Sequence, residues 1–340
     1  RSTHCISSAA SDVYKRQAFE RTGYDVVVHR YDAAPRVEKA WNKLRYELSA
    51  KIRGTQGHLS TGVVTARAID RLRAVHPDLV LTVRGDVLGA DYWDEVNRTT
   101  KHSVAWLYDE LRRMTLDIEM ASTVSTIITY SRDDTAELQG KGIDAHYVPT
   151  GFNLSTKPEG HWPKSDITFV GSSLPGRQKL FTSLVSAGLP LVAYGRDWSD
   201  HPVDRLRTWR LRSTGIPSHR DVSLGEAYGI MRDSAATLNV HGDQDGFTMR
   251  TFEACGVGGI QIVDRDDVSE FYEPGKEVLV QHSAEETIEL ARQVLSDRTR
   301  MIAMRRAAKA RTLAEHTLDR RAVVICLLYT SPSPRDATLS

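Results

Sequence analysis

The chain has 340 residues, enough for two domains of about 150 residues each. Its 45 basic and 44 acidic side chains leave a formal net charge of +1, so no overall field favours nucleic acid or an anionic membrane as a partner. The hydrophobic fraction of 40% is ordinary for a globular protein, and no apolar run approaches the roughly 18–20 residues of a membrane-spanning helix.

Both ends of the chain differ from the sequence beside them. Residues 1–17 and 326–340 lack helical or strand periodicity. They resemble translated adapter sequence from assembled environmental DNA, so we expect two non-native tails. Cys5 and Cys326 lie in these tails, which leaves Cys255 in the interior and excludes a disulfide framework. This cysteine usage favours a cytoplasmic location.

Strand and helix patterns alternate over residues 18–155. Apolar, β-branched runs predict strands at 24–30, 78–83, 103–108 and 126–130. Helical spacing of apolar residues predicts helices over 41–53 and 63–75. This order predicts an amino-terminal Rossmann-like domain on the acceptor side, truncated because the tail replaces its first strand.

A cluster of Pro and Gly at 146–163 predicts the linker between two domains. Beyond it the alternation resumes, with strands at 167–170, 191–194, 236–240 and 259–263, helices at 178–187, 224–232 and 249–255, and one or two final helices over 284–314. We predict a second Rossmann-like domain over 156–325. Two doubly wound α/β domains facing a cleft would bind ligands at the carboxyl ends of their strands.

Residues 239–277 carry the pattern with the most chemistry. A strand ends at Val240, a loop rich in Gly and Asp follows, and a helix begins near Thr248. Amides at a helix amino terminus bind anions, and Arg250 in the first turn adds a charge-assisted contact to a diphosphate. Glu253 shares its helical face and can accept hydrogen bonds from ribose hydroxyls. Since no GxxxxGK or GxGxxG motif is present, the segment predicts a nucleotide-diphosphate site without a P-loop.

The runs MRTFEACGVGGIQIVD at 249–264 and EFYEPGKEVLV at 270–280 resemble the carboxyl-terminal domain of GT-B glycosyltransferases of the spore-maturation CgeB type. FVGSS at 169–173 and VAYGRDW at 192–198 match the same pattern, and HPDLVLTVRGD and SVAWLYDE resemble it in the first half. The resemblance implies a bacterial enzyme with the GT-B fold. It would transfer a sugar, hexosyltransferase-like, from a nucleotide-diphosphate sugar to a glycan or other acceptor.

The resemblance also implies which residues form the site. The donor-binding residues would be Gly171, Ser172, Arg177, Thr248, Arg250 and Glu253, and the catalytic residues would be Asp109, His241 and Asp245. Fixed cations and amides stabilise a departing diphosphate, so we expect neither a metal nor a cofactor. Many retaining members carry Glu at the position of Asp245, which leaves the stereochemical outcome open.

Structural roles remain alternatives for several of these residues. Asp109 fits an N-cap or surface acid as well as a general base, and His241 fits a structural strand-end histidine. Glu253 fits a helix-surface carboxylate. The sequence Asp243-Gln244-Asp245 matches the metal-binding DxD of the other glycosyltransferase fold, but the context of that fold is lacking.

Other features leave the partner and the function open. The run RLRTWRLR at 205–212 favours a solvated face, with an anionic acceptor or a membrane surface as alternatives. Peripheral membrane contact is thus possible without being indicated, and no nucleic-acid partner is expected. The functional alternatives to a glycosyltransferase are a nucleotide-sugar epimerase of the same fold and a non-catalytic nucleotide-sugar-binding scaffold.

Overall fold

The computed structural model describes residues 2–7, 12–31, 58–210 and 212–330. The chain forms two compact units, the first made of residues 1–149 and 318–340 and the second of residues 150–317. The division after Pro149 falls inside the predicted linker at 146–163. The predicted helix over 41–53 lies outside the described residues.

The first unit contains a parallel sheet with helices between its strands. In the described ranges the strands are β1 (Ser2–Ser7), β2 (Asp25–Arg30), β3 (Leu79–Val83), β4 (His102–Trp106), β5 (Thr126–Thr129) and β6 (Ala145–Tyr147), in the order β2-β1-β3-β4-β5-β6. The helices are α1 (Asp12–Arg21), α2 (His58–Val75), α3 (Ala90–Thr99), α4 (Ile118–Val124) and α5 (Arg132–Gly140). Each residue of the apolar strand β3 is buried, as its sequence predicts.

The position of β1 corrects one expectation. We expected the first strand of this unit to be missing, but Ser2–Ser7 pairs in parallel with both β2 and β3 and occupies an interior place in the sheet. Helix α1 then buries Ala18 and Phe19. The sequence STHCIS gives little hydrophobic signal. The place of this strand in the sheet is determined instead by its pairing with two neighbouring strands. The foreign origin of the two tails stays a prediction.

The second unit repeats the arrangement. Its described strands are β7 (Ile167–Val170), β8 (Leu191–Tyr194), β9 (Ser218–His219), β10 (Ala236–Asn239), β11 (Gln261–Val263) and β12 (Leu279–Val280), in the order β12-β11-β10-β7-β8-β9. The helices are α6 (Pro175–Ser186), α7 (Pro202–Arg207), α8 (Leu224–Asp233), α9 (Met249–Gly256), α10 (Ala284–Ser296) and α11 (Arg298–Glu315). The predicted final helix is thus two helices, since Asp297 ends α10 and caps α11 by accepting from Arg300 N.

Strand order creates a topological switch point between β7 and β10. The chain runs outward from β7 through β8 to β9 and then crosses to β10 on the other side of β7. The loops that follow β7 and β10 therefore separate at their carboxyl ends, where ligands of such sheets bind. Below this edge, Phe169 packs edge-on against Phe181 and Trp198 at centroid distances of 4.9 and 5.9 Å.

The last helix, α12 (Leu318–Thr330), belongs to the first unit. Its residues Leu318, Ala322 and Ile325 are buried in the core that also contains Ala18 and Phe19 of α1. We expected the second domain to continue to residue 325, whereas the chain leaves it after Thr317. An apolar helical stripe indicates burial without specifying the sheet that it covers. Within the described ranges, no helix is long and apolar enough to cross a membrane.

Candidate functional site

Two adjoining cavities open at the switch point of the second unit. The first, which we call the β10 cavity, has a volume of about 210 Å³ and is lined by residues that include Phe169, Asn239, His241, Gln244 and Thr248. The second, the β8 cavity, has a volume of about 330 Å³ and is lined by residues that include Tyr194, Gly195, Arg196, Asp221 and Val222. Val170, Gly171 and Arg250 line both cavities. These three residues therefore mark the place where an extended ligand would pass from one cavity to the other.

The wall of the β8 cavity depends on a close approach of two glycines. A Cβ atom on Gly195 would lie 2.5 Å from the carbonyl oxygen of Gly171, so that only glycine fits without movement. The indole Nε1 of Trp198 donates to the same oxygen at 2.8 Å. The loop after β7, with the predicted donor-binding residues Gly171 and Ser172, is thus fixed against the loop after β8, and both residues line the β8 cavity.

Arg177 joins the loop after β7 to the end of β10. Its Nε donates to Val240 O at 2.8 Å, its Nη1 donates to Ser172 O at 2.9 Å, and its guanidinium lies 5.1 Å from the ring centroid of Phe169. Burial lowers the pKa of Arg177, and the charge of Asp264 opposes that shift. Arg177 lines the β10 cavity, and its hydrogen bonds to two main-chain oxygens give it a bracing role that the sequence did not indicate. Donor binding by Arg177 stays a prediction.

The amino end of α9 brings Thr248 and Arg250 to the cavities. Thr248 is the N-cap residue, and its side chain makes no capping hydrogen bond. The amino end of a helix favours an anion through its main-chain N–H groups and the positive end of its dipole. Arg250 Nη1 donates to Glu253 Oε2 at 2.5 Å. The Glu253 side chain is 3% exposed, whereas that of Arg250 is 36% exposed. The two residues thus form an ion pair, with the carboxylate buried and the cation facing the cavities. Diphosphate binding by Arg250 and ribose binding by Glu253 stay predictions.

His241 presents an unpartnered nitrogen at the β10 cavity. Its Nδ1 lies 2.7 Å from Asp264 Oδ1, and its main-chain N–H donates to both carboxylate oxygens at 3.0 and 2.9 Å. The side chain is 3% exposed, and its Nε2 is buried without a hydrogen-bond partner among the described residues. Since Asp264 engages Nδ1, Nε2 is the nitrogen left to hydrogen-bond a ligand.

Asp245 lies in the loop between β10 and α9, and it does not line either cavity. Arg265 Nη1 donates to the main-chain oxygens of Gln244 and Asp245. Its guanidinium lies 4.1 Å from the Phe247 ring centroid, and it pairs with Asp267. In the described part of the chain, no cluster of three or more His, Cys, Asp or Glu side chains surrounds a possible metal position.

Sequence reasoning missed two residues of this site, Asp264 and Arg265. Both residues follow β11, whose carboxyl end lies beside that of β10 because the two strands pair in parallel. Charged residues directly after a buried strand are the signal that could have indicated them.

Asp109 lies in the first unit, after β4. Its Oδ1 accepts from Glu110 N at 3.0 Å and lies 3.9 Å from Arg113 Nη1. These local contacts fit the structural alternative, and a catalytic role for Asp109 stays a prediction.

Comparisons with known proteins agree with this fold. Residues 177–326 match a family model described as glycosyl transferase-like. Anabaena HepE in complex with UDP is similar, with a TM-score of 0.64 at 11% identity over 98% of this chain and 100% of that one. Sucrose-phosphate synthase from Thermosynechococcus elongatus gives 0.63 at 13% identity over 100% of both chains.

A Listeria monocytogenes protein assigned as a UDP-N-acetylglucosamine 2-epimerase is also similar, with a TM-score of 0.58 at 13% identity over 97% of this chain and 96% of that one. No curated protein sequence matches the chain. At these identities the structural likeness establishes the fold alone. The fold is of the GT-B type, with two Rossmann-like α/β units and a glycosyl transferase-like segment in the second half of the chain.

Proposed function

We propose that this protein is a glycosyltransferase that binds a nucleotide-diphosphate sugar in the second unit and transfers the sugar to an acceptor. The observation that carries the proposal is the meeting of the β8 and β10 cavities at Arg250 and the amino end of α9. A cation and a helix amino terminus at this junction suit a diphosphate, and a cavity on each side suits the two groups that a diphosphate joins.

The β8 cavity would hold the nucleoside. Its charged lining is largely neutralised, because Arg196 pairs with Asp221 at 2.6 Å. The lining then offers a neutral base the main-chain groups of Val222, since those of Gly171 and Gly195 are hydrogen-bonded within the protein. Glu253 would contact the ribose if donor binding displaces its bond to Arg250. The similar HepE structure contains UDP, which supports a uridine nucleotide as the first donor to test.

The β10 cavity would hold the sugar. In the tautomer whose Nδ1–H donates a hydrogen bond to Asp264, His241 carries a lone pair on Nε2 that can accept a hydrogen bond from a sugar hydroxyl. During transfer the bond between the anomeric carbon and the diphosphate oxygen breaks, and the acceptor hydroxyl oxygen forms the new bond to that carbon as it gives its proton to a general base, the role proposed for Asp109. Negative charge then grows on the diphosphate, where Arg250 and the α9 amides would stabilise it without a metal.

Several finer features belong to this proposal. We expect an enzyme of the CgeB type, bacterial and cytoplasmic, with a glycan or another hydroxyl compound as acceptor. Asp109, in the first unit, would act on the acceptor side. Asp245 would contribute through its loop rather than from a cavity wall.

An epimerase is the second candidate, and the similarity to the Listeria monocytogenes protein favours it. Product analysis separates the two enzymes, because an epimerase converts the nucleotide sugar without an acceptor, whereas a glycosyltransferase requires one for sugar transfer. A non-catalytic scaffold would bind the nucleotide and leave the nucleotide sugar unchanged.

The test begins with calorimetric titration of the full chain with UDP, GDP, ADP and dTDP. We expect one nucleotide to bind selectively, and Arg250→Ala to weaken it about 10–100-fold through loss of a charge-assisted contact. Arg306→Ala on α11 is the matched control, since Arg306 is exposed and distant in sequence from the cavity residues. Consumption of the corresponding nucleotide sugar is then followed with and without an acceptor mixture. Failure of all four nucleotides to bind would contradict the proposal.

A further inference from the structure

Three large apolar side chains stand exposed on α7 and the turn that follows it. Val203, Leu206 and Trp209 are 46%, 72% and 87% exposed, and Trp209 is the most exposed large apolar side chain in the described part of the chain. We call these residues, together with Arg207 and Arg212, the α7 patch. Isolated exposed apolar residues are normal on a protein surface, but a tryptophan and a leucine this exposed within four positions require an explanation.

The turn that presents Trp209 is held in place by its neighbours. Trp209 has a φ of +53°, a left-handed conformation that bulky residues rarely adopt. The next residue, Arg210, donates to Asp197 O at 2.8 Å and to Trp198 O at 3.1 Å, and it also donates to Ser199 O. Thr208 Oγ1 donates to Asp204 O at 2.9 Å. These contacts fix the main chain on both sides of Trp209, so the indole is presented by an ordered turn.

The charge of the patch is positive. Arg207 and Arg212 are exposed, and neither forms an ion pair with another described residue. Three carboxylates of the neighbouring segments already pair with other arginines, Asp200 with Arg210, Asp204 with Arg220 and Asp221 with Arg196. Two free guanidinium groups therefore flank the apolar side chains. The net charge of +1 of the whole chain does not reveal this local positive charge.

We propose that the α7 patch binds the surface of a membrane that contains anionic lipids. Trp209 and Leu206 enter the boundary between headgroups and acyl chains, where tryptophan is favoured because its ring is apolar and its N–H can hydrogen-bond. Arg207 and Arg212 contact lipid phosphates. A stable protein interface needs roughly 800 Å² from each partner, and the apolar part of this patch consists of three side chains. A bilayer fits such a small, cationic, apolar projection better than a protein does.

Co-sedimentation with lipid vesicles tests this proposal on the full chain. We expect binding to vesicles of equal parts phosphatidylcholine and phosphatidylglycerol, little binding to phosphatidylcholine alone, and weaker binding as salt rises. The double substitution Leu206→Ser and Trp209→Ser is expected to lower the partition coefficient at least tenfold. Replacing Arg207 and Arg212 by glutamine is expected to lower it about fivefold for each arginine.

Matched controls keep the result interpretable. Ile302 and Leu313 on α11 are each 43% exposed, and their replacement by serine removes exposed apolar surface elsewhere on the same unit. We expect this control to bind vesicles like the wild type, and all variants to keep the wild-type melting temperature. The proposal is wrong if the wild type does not bind the anionic vesicles or if the Leu206/Trp209 variant binds them equally well. It is also wrong if the patch substitutions abolish a dimer detected by light scattering without affecting vesicle binding, since the patch is then a protein interface.

Discussion

The carboxylate of Asp264 contacts His241 at two places, the main-chain N–H and the imidazole ring of the histidine. The two carboxylate oxygens accept from His241 N at 3.0 and 2.9 Å, and Oδ1 lies 2.7 Å from Nδ1. The ring also packs edge-on against Phe247 at a centroid distance of 5.2 Å. The imidazole is therefore oriented before any ligand binds, and its buried Nε2 lacks the hydrogen bond that a ligand in the β10 cavity would supply.

Replacing Asp264 by asparagine tests this orientation. The shape of the side chain at position 264 is kept, but one acceptor oxygen is lost. The imidazole of His241 is then no longer held with Nε2 as the acceptor. We expect turnover of the nucleotide sugar to fall about 10²-fold, as when a single preorganised hydrogen-bonding group is removed. UDP affinity should change little. Steady-state kinetics and calorimetry measure the two effects. Asp266→Asn is the control, since Asp266 contacts His282 instead; equal activity of both variants would contradict the role given to His241.

The pair formed by Arg250 and Glu253 gives a second prediction. Glu253 is buried, so Arg250→Ala leaves a carboxylate without its cation, and we expect a loss of unfolding free energy of about 1–3 kcal/mol. Adding Glu253→Gln removes the charge and should restore part of that loss, whereas nucleotide binding should not recover. Urea unfolding of the two single variants and the double variant measures the coupling. Additive effects on stability would mean that the pair does not contribute as a pair.

Local patterns in the sequence were sufficient to predict the alternating fold. The apolar runs and helical spacing that predict a strand at 236–240 and a helix at 249–255 correspond to β10 and α9, and the parallel α/β class is confirmed. The first strand was missed because STHCIS carries little apolar signal, and pairing with β2 and β3 determines its place. Likewise, nothing local in α12 indicates that it packs on the first unit.

The site was predictable where its residues are close in sequence. Gly171 and Arg177 after β7, and Thr248 and Arg250 at the start of α9, line the cavities, and donor binding by them stays a prediction. Asp264 reaches His241 across 23 positions, because β10 and β11 are neighbours in the sheet. A sequence pattern does not contain that adjacency. For the same reason, the resemblance that placed Asp245 in the site did not reveal that Asp245 lies outside both cavity walls.

We expect the acid stability of the protein to depend on Asp204, which lies in α7. The hydrogen bonds from Arg220, at 2.7 and 3.0 Å, lower the pKa of Asp204 from 3.8 to about 2. A lowered pKa contributes stability above the unfolded value, and this contribution is lost as the pH falls from about 4 to about 2. We therefore expect Asp204→Asn to have a lower melting temperature than the wild type at neutral pH. The difference in melting temperature should narrow towards pH 2. Scanning calorimetry across this pH range measures the two melting temperatures. A difference that does not depend on pH would contradict the stabilising role given to the Asp204 carboxylate.

The close approach of Gly195 to Gly171 predicts that alanine at position 195 is destabilising. Its Cβ would lie 2.5 Å from Gly171 O, so the two loops must separate, at a cost of about 1–3 kcal/mol. Because Gly171 lines both cavities, nucleotide affinity should fall as well. Gly176→Ala is the matched control, since a Cβ there meets nothing within 4 Å and the residue lies in α6, where alanine is favoured by up to about 1 kcal/mol. Chemical unfolding and calorimetry compare the variants, and wild-type stability and affinity with alanine at 195 would show that the β8 cavity does not depend on this contact.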